Sequence, residues 1–102
     1  MPQPVYVSNI HADLAPRIVL DRLRRDGWEP IPISDPAGYL YPPHSHAATK
    51  LLAILSGSME VRLAGETYQC LPGDQVVIPG NVEHAALVGP DGCRFYWSEQ
   101  MR

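Results

Sequence analysis

Residues 38–57 read GYLYPPHSHAATKLLAILSG, and this stretch constrains the fold more than any other part of the sequence. Two prolines directly precede a His-x-His pair, so the backbone approaches His44 in a stiff, extended form. On a strand, residues two apart project from the same face, which points the imidazoles of His44 and His46 in one direction. The stretch therefore predicts strand structure that presents two histidines together.

Downstream of this stretch, turn residues divide the sequence into short apolar segments. The predicted strands are 49–57, 59–65, 66–74, 75–81, 82–89 and 92–99. The turn signals between them are Ser56-Gly57, Ala64-Gly65, Pro72-Gly73-Asp74, Pro79-Gly80-Asn81 and Gly89-Pro90-Asp91-Gly92. A further segment, 28–33, alternates in polarity, but its prolines indicate a sheet edge. Short strands at this spacing, in a chain with 11 prolines and 8 glycines, predict an all-β antiparallel sandwich or barrel.

Upstream of residue 28, the sequence predicts one short strand and one helix. Residues 4–8 form the candidate strand and residues 13–26 the candidate helix. Asp13 is a potential N-cap of this helix, and Gly27 is a stop signal. The expected apolar stripe of the helix consists of Leu14, Ile18 and Leu23.

The alternation of side chains indicates which strand faces must be covered. In 59–63 the odd positions are apolar and the even positions polar, so one face lies in the core and the other is solvated. In 49–55 both faces are apolar, and both therefore need cover. Either the N-terminal helix or a second copy of the chain can cover Leu51 and Leu55. We expect the second copy, which makes the protein a homodimer.

Length, charge and cysteine count limit the possible classes of function. A chain of 102 residues fits one domain, with an N-terminal arm and helix in 1–27 and a barrel in 28–99. The net charge of −3 argues against a basic nucleic-acid surface, and no apolar run reaches the length of a membrane span. The first residues lack the regions of a signal peptide, so we expect none. Two cysteines are too few for a disulfide framework, which favours the cytoplasm.

A third histidine adds a chemical signal to the His-x-His pair. His84 follows a Pro-Gly-Asn turn, and three imidazoles meet inside the barrel if its strand pairs near 44–50. Three neutral nitrogens with open positions are a usual ligand set for a catalytic transition metal. The alternative is that all three are ordinary histidines of a barrel wall. His11 is isolated in the sequence and is expected at the surface.

The frame around these histidines resembles the cupin superfamily. The first cupin motif, G-x5-H-x-H-x3,4-E-x6-G, is matched in spacing by Gly38, His44, His46 and Gly57. The second motif, G-x5-P-x-G-x2-H-x3-N, is matched by Gly73, Pro79 and His84. The resemblance covers 38–88, and its 15-residue spacer is typical of small single-domain cupins. It implies a jelly-roll barrel (a double-stranded β-helix) with an internal metal site formed by His44, His46 and His84.

Three positions depart from the cupin motifs. Asn81 replaces a glycine, but asparagine also tolerates a left-handed turn. Val88 replaces the final asparagine, which we expect to be harmless. Lys50, the only lysine of the chain, replaces the glutamate that is the family's anionic metal ligand. Its side chain either reaches the barrel mouth, or lies near a metal and pairs with an anion, or marks a site that has lost metal.

We expect Lys50 to be turned away or paired with an anion, and it is the one candidate catalytic residue besides the metal ligands. The resemblance implies a dioxygenase or isomerase that acts on a small anionic, dicarbonyl or thiol substrate. The alternatives are a non-enzymatic cupin that binds or senses a small molecule, and a metal-free structural cupin. A histidine-only site accepts iron, zinc, nickel, manganese or copper, so the metal stays open.

Overall fold

The computed structural model of the protein describes residues 5–100, which form one antiparallel sheet and one helix. The elements are β1 (Tyr6–Val7), α1 (Pro16–Arg25), β2 (Ile31–Asp35), β3 (Leu40–His44), β4 (Thr49–Leu63), β5 (Glu66–Cys70), β6 (Gln75–Ile78) and β7 (His84–Gln100). The strand order is β1-β6-β4-β7-β2, with β3 also on β7 and β5 also on β4. The predicted all-β jelly-roll barrel with one short N-terminal helix is confirmed. Within residues 5–100, no helix is long and apolar enough to cross a membrane.

Two long strands, β4 and β7, form the centre of the sheet. The sequence predicted each of them as two strands, with turns at Ser56-Gly57 and at 89–92, and both turn predictions are wrong. Gly57 has a φ of 75°, and the β4–β7 register shifts on either side of it. A glycine bulge of this kind bends a strand without ending it. The bend lets β4 pair with β6 before Gly57 and with β5 after it.

The barrel interior contains the main hydrophobic core. The alternation in 59–63 is confirmed, because Met59, Val61 and Leu63 are all buried there. Leu52 and Ile54 point into the same interior from the first half of β4. The other buried members of this core are Cys70, Val76, Ile78, Val88, Cys93 and Phe95.

The outer face of β4 is covered by α1. Leu51 and Ala53 are fully buried in a second core cluster, against Val19, Leu23 and Trp28. Leu55 packs at the margin of this cluster. The cover is therefore the helix of the same chain, and the homodimer expectation loses the observation that motivated it. The oligomeric state stays a prediction that light scattering at micromolar concentration tests.

The helix differs from its prediction at its start and in its apolar stripe. It begins after Ala15, which makes no side-chain cap, with Pro16 in the first turn; Asp13 has a φ of 62° and lies outside the helix. Leu14 and Ile18 are exposed, because the buried face of α1 is formed instead by Val19 and Leu23, which lie four residues apart. Gly27 follows the helix with a φ of 93°, so the predicted stop is confirmed.

The N-terminal arm is attached to the barrel through β6. Of the strand predicted at 4–8, only Tyr6–Val7 form a strand, β1, which pairs with β6; residue 4 lies outside the described residues. His11, which was expected at the surface, is 4% exposed, and its Nε2 lies 2.8 Å from Oε1 of Gln75. The buried carboxylate of Asp74 accepts hydrogen bonds from the Tyr6 hydroxyl at 2.7 Å and from the backbone N–H of Asn9 at 2.9 Å. These long-range polar contacts explain why the prediction for His11 is wrong: its partner lies 64 residues away in the sequence.

Candidate metal centre

The three predicted histidines converge at one end of the barrel. Their ring centroids lie 4.3 Å apart for His44 and His84, 4.5 Å for His44 and His46, and 4.8 Å for His46 and His84. One ligand nitrogen from each residue lies within 4.8 Å of the other two. His44 and His84 are direct partners in the β3–β7 ladder. Three imidazole nitrogens this close together can share a single ion once the rings draw in by small side-chain rotations.

The backbone conformation at His46 differs from the predicted strand. β3 ends at His44, so the two histidines do not share a strand, and His46 lies in the loop that follows. The backbone carbonyl of His46 accepts a hydrogen bond of 2.6 Å from the N–H of Asn81. Asn81 has a φ of 64°, the left-handed conformation that was expected at this glycine position. This contact therefore holds the backbone of His46 close to the turn that precedes His84.

Backbone carbonyls orient two of the three imidazoles. Nδ1 of His44 lies 2.5 Å from the carbonyl oxygen of Pro42, and Nδ1 of His84 lies 2.9 Å from that of Val82. A carbonyl can only accept, so each Nδ1 carries the proton and each Nε2 keeps its lone pair for a ligand. Nδ1 of His46 is buried and has no hydrogen-bond partner among the described residues. Such an orphaned nitrogen costs about 1–3 kcal/mol, and the donor set as a whole fits a divalent transition metal.

The electrostatic surroundings favour the neutral form of His46 and His84, which is the form that ligates a metal. Burial lowers the pKa of His46 below its usual 6.5, and the charges of Lys50 and the other two histidines lower it further. Burial also lowers the pKa of His84, with opposition from the Val82 carbonyl and a further decrease from His44 and Lys50. At neutral pH both imidazoles are therefore uncharged, and each keeps one nitrogen lone pair for a ligand.

The metal-free protein should lose stability as the pH falls through and below 6.5, the pKa of these imidazoles in the unfolded chain. In the folded protein the pKa values of His46 and His84 are lower, so between the two values the unfolded state binds more protons. The free energy of unfolding therefore rises with pH through this window and falls on acidification. Urea unfolding after chelation, at about pH 7.5 and about pH 5.5, measures the loss, which should be smaller in His46→Gln. An equal loss in both proteins would contradict this origin of the pH dependence.

The histidines form part of the wall of a cavity of about 350 Å³. Its other lining side chains are apolar or aromatic, apart from Tyr41 and Lys50. The complete lining is Ile33, Tyr41, His44, His46, Lys50, Leu52, Met59, Ile78, His84, Ala86, Phe95 and Trp97. Apolar walls with a few convergent polar groups are typical of a small-molecule site.

Lys50 points into this cavity, on the face predicted from its parity. Its ammonium donates a hydrogen bond to Oε2 of Glu99 and lies 4.5 Å from the ring centroid of Trp97. Lys50 is 9% exposed, whereas the side chain of Glu99 is 48% exposed. The lysine is thus paired with an anion from its own chain. Glu99 was not predicted from the sequence, because its only signal is the β4–β7 register that places it directly opposite Lys50.

Other ionisable groups near the site are poor nucleophiles or bases. The hydroxyl of Tyr41 donates to Oδ2 of Asp35 at 2.5 Å, and burial followed by this bond raises the pKa of Tyr41 far above its usual range. Burial raises the pKa of the free thiol of Cys93 to about 11 and that of Cys70 to about 12. Both cysteines are therefore protonated, inert core residues at neutral pH.

Comparison with known proteins identifies the family. The sequence profile of the cupin domain matches residues 34–99, which is about two thirds of the chain. The protein belongs to the cupin family. The match includes both motifs and the three histidines, so the resemblance seen in the sequence is confirmed.

Among its relatives, this cupin is similar to two proteins named as lyases. Dimethylsulfoniopropionate lyase DddW of Ruegeria pomeroyi is 34% identical over 58 residues, which are 57% of this cupin and 38% of the relative's length. The solved structure of the DMSP lyase DddQ from Ruegeria pomeroyi is 28% identical, with a TM-score of 0.62 over 68% of this cupin and 36% of that chain. The structure of KdgF from Halomonas sp. is 26% identical, with a TM-score of 0.62 over 74% of this cupin and 70% of that chain.

Proposed function

We propose that this cupin holds a divalent transition metal with His44, His46 and His84 and binds a small carboxylate ligand beside it. The observation that supports this most directly is the convergence of three imidazoles on one point of a cavity wall. Iron, zinc, nickel, manganese and copper all remain compatible with three imidazole ligands. When bound, the metal supplies a Lewis acid that polarises a carboxylate or carbonyl oxygen.

The charge balance of the cavity favours an anionic ligand. The three imidazoles contribute no charge, and the positive charge of Lys50 is matched by Glu99. A divalent ion held by neutral ligands therefore keeps its full charge, in contrast to an ion that has a glutamate ligand. Two oxygens of a carboxylate, enolate or dicarbonyl compensate this charge better than a neutral ligand does.

The size of the cavity favours a small ligand. At about 350 Å³ it lies near the lower end of ligand-binding pockets, which range from about 300 to 1,000 Å³. The carbon skeleton of the ligand would contact Leu52, Met59 and Phe95, which are buried and apolar. The hydroxyl of Tyr41, which stays protonated at neutral pH, is available for a hydrogen bond if it exchanges its partner Asp35.

For the reaction class, we propose an elimination from the small carboxylate, because two relatives are named as lyases. The dioxygenase or isomerase implied by the cupin resemblance is the second candidate. A cupin that binds or senses a small carboxylate without turnover is the non-enzymatic alternative. Oxygen uptake identifies a dioxygenase, and alkene formation separates an elimination from an isomerisation, since neither of these two reactions consumes oxygen.

The experiment combines metal analysis with a substrate screen. Purified protein should contain close to one equivalent of metal per chain, by mass spectrometry of the elements after dialysis. The metal-loaded protein is then incubated with small β-substituted carboxylates, dicarbonyls and thiols, and alkene formation is followed beside oxygen uptake. Alkene product without oxygen uptake supports the lyase, and oxygen uptake supports the dioxygenase. Metal and carboxylate binding without turnover supports the non-enzymatic alternative, and a protein that binds no metal contradicts the proposal.

The cellular location and the binding partners are further parts of the proposal. A cytoplasmic location agrees with the two free thiols, Cys70 and Cys93. A small-molecule ligand is the expected partner. Nucleic acid is not expected, because the net charge is −3.

A further inference from the structure

Lys50, which stands where the cupin motif has a glutamate, contacts two side chains of β7, Trp97 and Glu99. Lys50 and Glu99 are direct cross-strand partners, and Trp97 lies two residues before Glu99, on the same face of β7. The ammonium of Lys50 contacts both, through a hydrogen bond to the carboxylate and at 4.5 Å from the indole ring. Lys50 and Trp97 line the cavity, whereas Glu99 is half exposed.

An aromatic face combined with a carboxylate is the chemistry that recognises an organic cation. The face of an indole attracts a cation through its quadrupole, and this attraction strengthens where water is excluded. A nearby carboxylate adds a full opposite charge. In this protein such a site exists in the cavity wall, but an internal cation, the ammonium of Lys50, already fills it.

We propose that Lys50, by filling the cation site of Trp97 and Glu99, restricts the cavity to plain carboxylates and excludes carboxylates that also carry an onium group. This inference rests on the proposed function, because it assumes that a carboxylate binds beside the metal. It adds a specificity-determining role for Lys50, which is not a metal ligand, and for Glu99, which the cupin motifs do not contain.

Two physical effects support the exclusion. An onium group that enters the cavity meets the ammonium of Lys50 as a like charge in surroundings that are mostly apolar. The same group cannot use the indole face or the carboxylate, because Lys50 holds both. A plain carboxylate meets no such repulsion. The ammonium lies in the cavity wall, whereas its partner Glu99 is half exposed and does not line the cavity, so the ammonium is the nearer charge to a bound carboxylate.

The test compares two ligands that differ only in the cationic group. Propionate and 3-(trimethylammonio)propionate are titrated calorimetrically into zinc-loaded wild-type protein and into zinc-loaded Lys50→Met. Wild type should bind propionate about tenfold more tightly than the zwitterion. In Lys50→Met the zwitterion should bind about tenfold more tightly than it binds to wild type, and propionate should bind more weakly.

Further variants serve as matched controls. Lys50→Arg keeps the cation and should keep the wild-type preference. Lys50→Met combined with Glu99→Gln should lose the gain in zwitterion affinity. Glu99→Gln alone keeps Lys50 but frees its ammonium, so propionate should bind several-fold more tightly. This last variant tests the inference even if Lys50→Met does not fold, and unchanged propionate affinity would overturn it.

The outcomes separate this inference from the proposed function. If propionate binds and the ratio of the two affinities is the same in wild type and Lys50→Met, the selective role of Lys50 is refuted and the carboxylate site stands. If zinc-loaded wild type binds the zwitterion more tightly than propionate, the inference is also refuted. If zinc binds but neither ligand does, the carboxylate proposal itself fails, and the inference fails with it.

Discussion

Replacing His46 with alanine should abolish stoichiometric metal binding. His46 is the one triad member whose Nδ1 is buried with no hydrogen-bond partner in the described part of the chain, and it follows the strand that carries His44. Loss of groups that merely orient metal ligands weakens affinity about 10- to 100-fold, and loss of a ligand itself should exceed this range. Metal content after dialysis and competition with a chromophoric chelator measure the effect. Saturating metal should also raise the melting temperature of the wild type but not of the variant.

The matched control for this variant is His11→Gln. His11, the remaining histidine of the chain, lies on the N-terminal arm, and its side chain is buried against Gln75 of β6. The substitution should lower stability but leave the metal content at the wild-type value. One equivalent of tightly bound metal in His46→Ala, or an equal loss in both variants, would contradict the assignment of the metal centre.

Replacing Gly57 with alanine should destabilise the barrel by about 4 kcal/mol or more, the range of severe core strain. A Cβ at this position would lie 2.0 Å from the carbonyl oxygen of Gly92 and 2.8 Å from its carbonyl carbon. Both atoms belong to the backbone of β7 and cannot rotate away, so the two central strands would have to separate. The φ of 75° adds the cost of a left-handed residue, about 1–2 kcal/mol. Urea unfolding gives the free energy, and a soluble unfolded protein is the extreme form of the same result.

Gly65→Ala separates the two contributions. Gly65 has nearly the same φ, 79°, but an added Cβ would have no atom within 4 Å. This variant should therefore lose only the conformational part, about 1–2 kcal/mol. Equal losses for Gly57→Ala and Gly65→Ala would show that the close approach of β4 and β7 has no energetic importance.

The parts of the fold that local pattern encodes were predictable. Period-two alternation identified the buried face of Met59, Val61 and Leu63, because burial on one face of a sheet needs no knowledge of the partner strand. The spacing of glycines, prolines and histidines identified the family and with it the jelly-roll topology. Asn81 could be assigned a left-handed turn because few residue types adopt one.

The parts that depend on distant partners were not predictable. A glycine in a bulge and a glycine in a hairpin turn look alike in sequence, so the pattern predicts strand ends at Gly57 and Gly92, where the strands in fact continue. His11 is buried by Gln75, and local sequence contains no sign of this partner. Whether Leu51 packs against α1 or against another molecule is decided by the path of the chain, since both covers are apolar.

The candidate site also combines residues that the sequence predicts with one that it does not. The three histidines were predictable because the motif spacing fixes their positions relative to the turns. Glu99 was not, because its contact with Lys50 depends on the register of two strands across a bulge, and a single-residue shift would turn its side chain to the other face.

The pairing of β4 with β7 also determines the order in which the site can assemble during folding. Leu63 pairs with His84 at one end of this ladder, and Thr49 pairs with Gln100 at the other. The segment of chain that connects two paired residues therefore more than doubles in length from the first end of the ladder to the second. Each doubling of a closed loop costs about 0.6 kcal/mol, which favours zippering from His84 towards Gln100. The contact of Lys50 with Glu99 then forms late. Substitutions at this end should therefore change the unfolding rate more than the folding rate, which would let the charge of the pocket change in evolution without slowing the formation of the barrel.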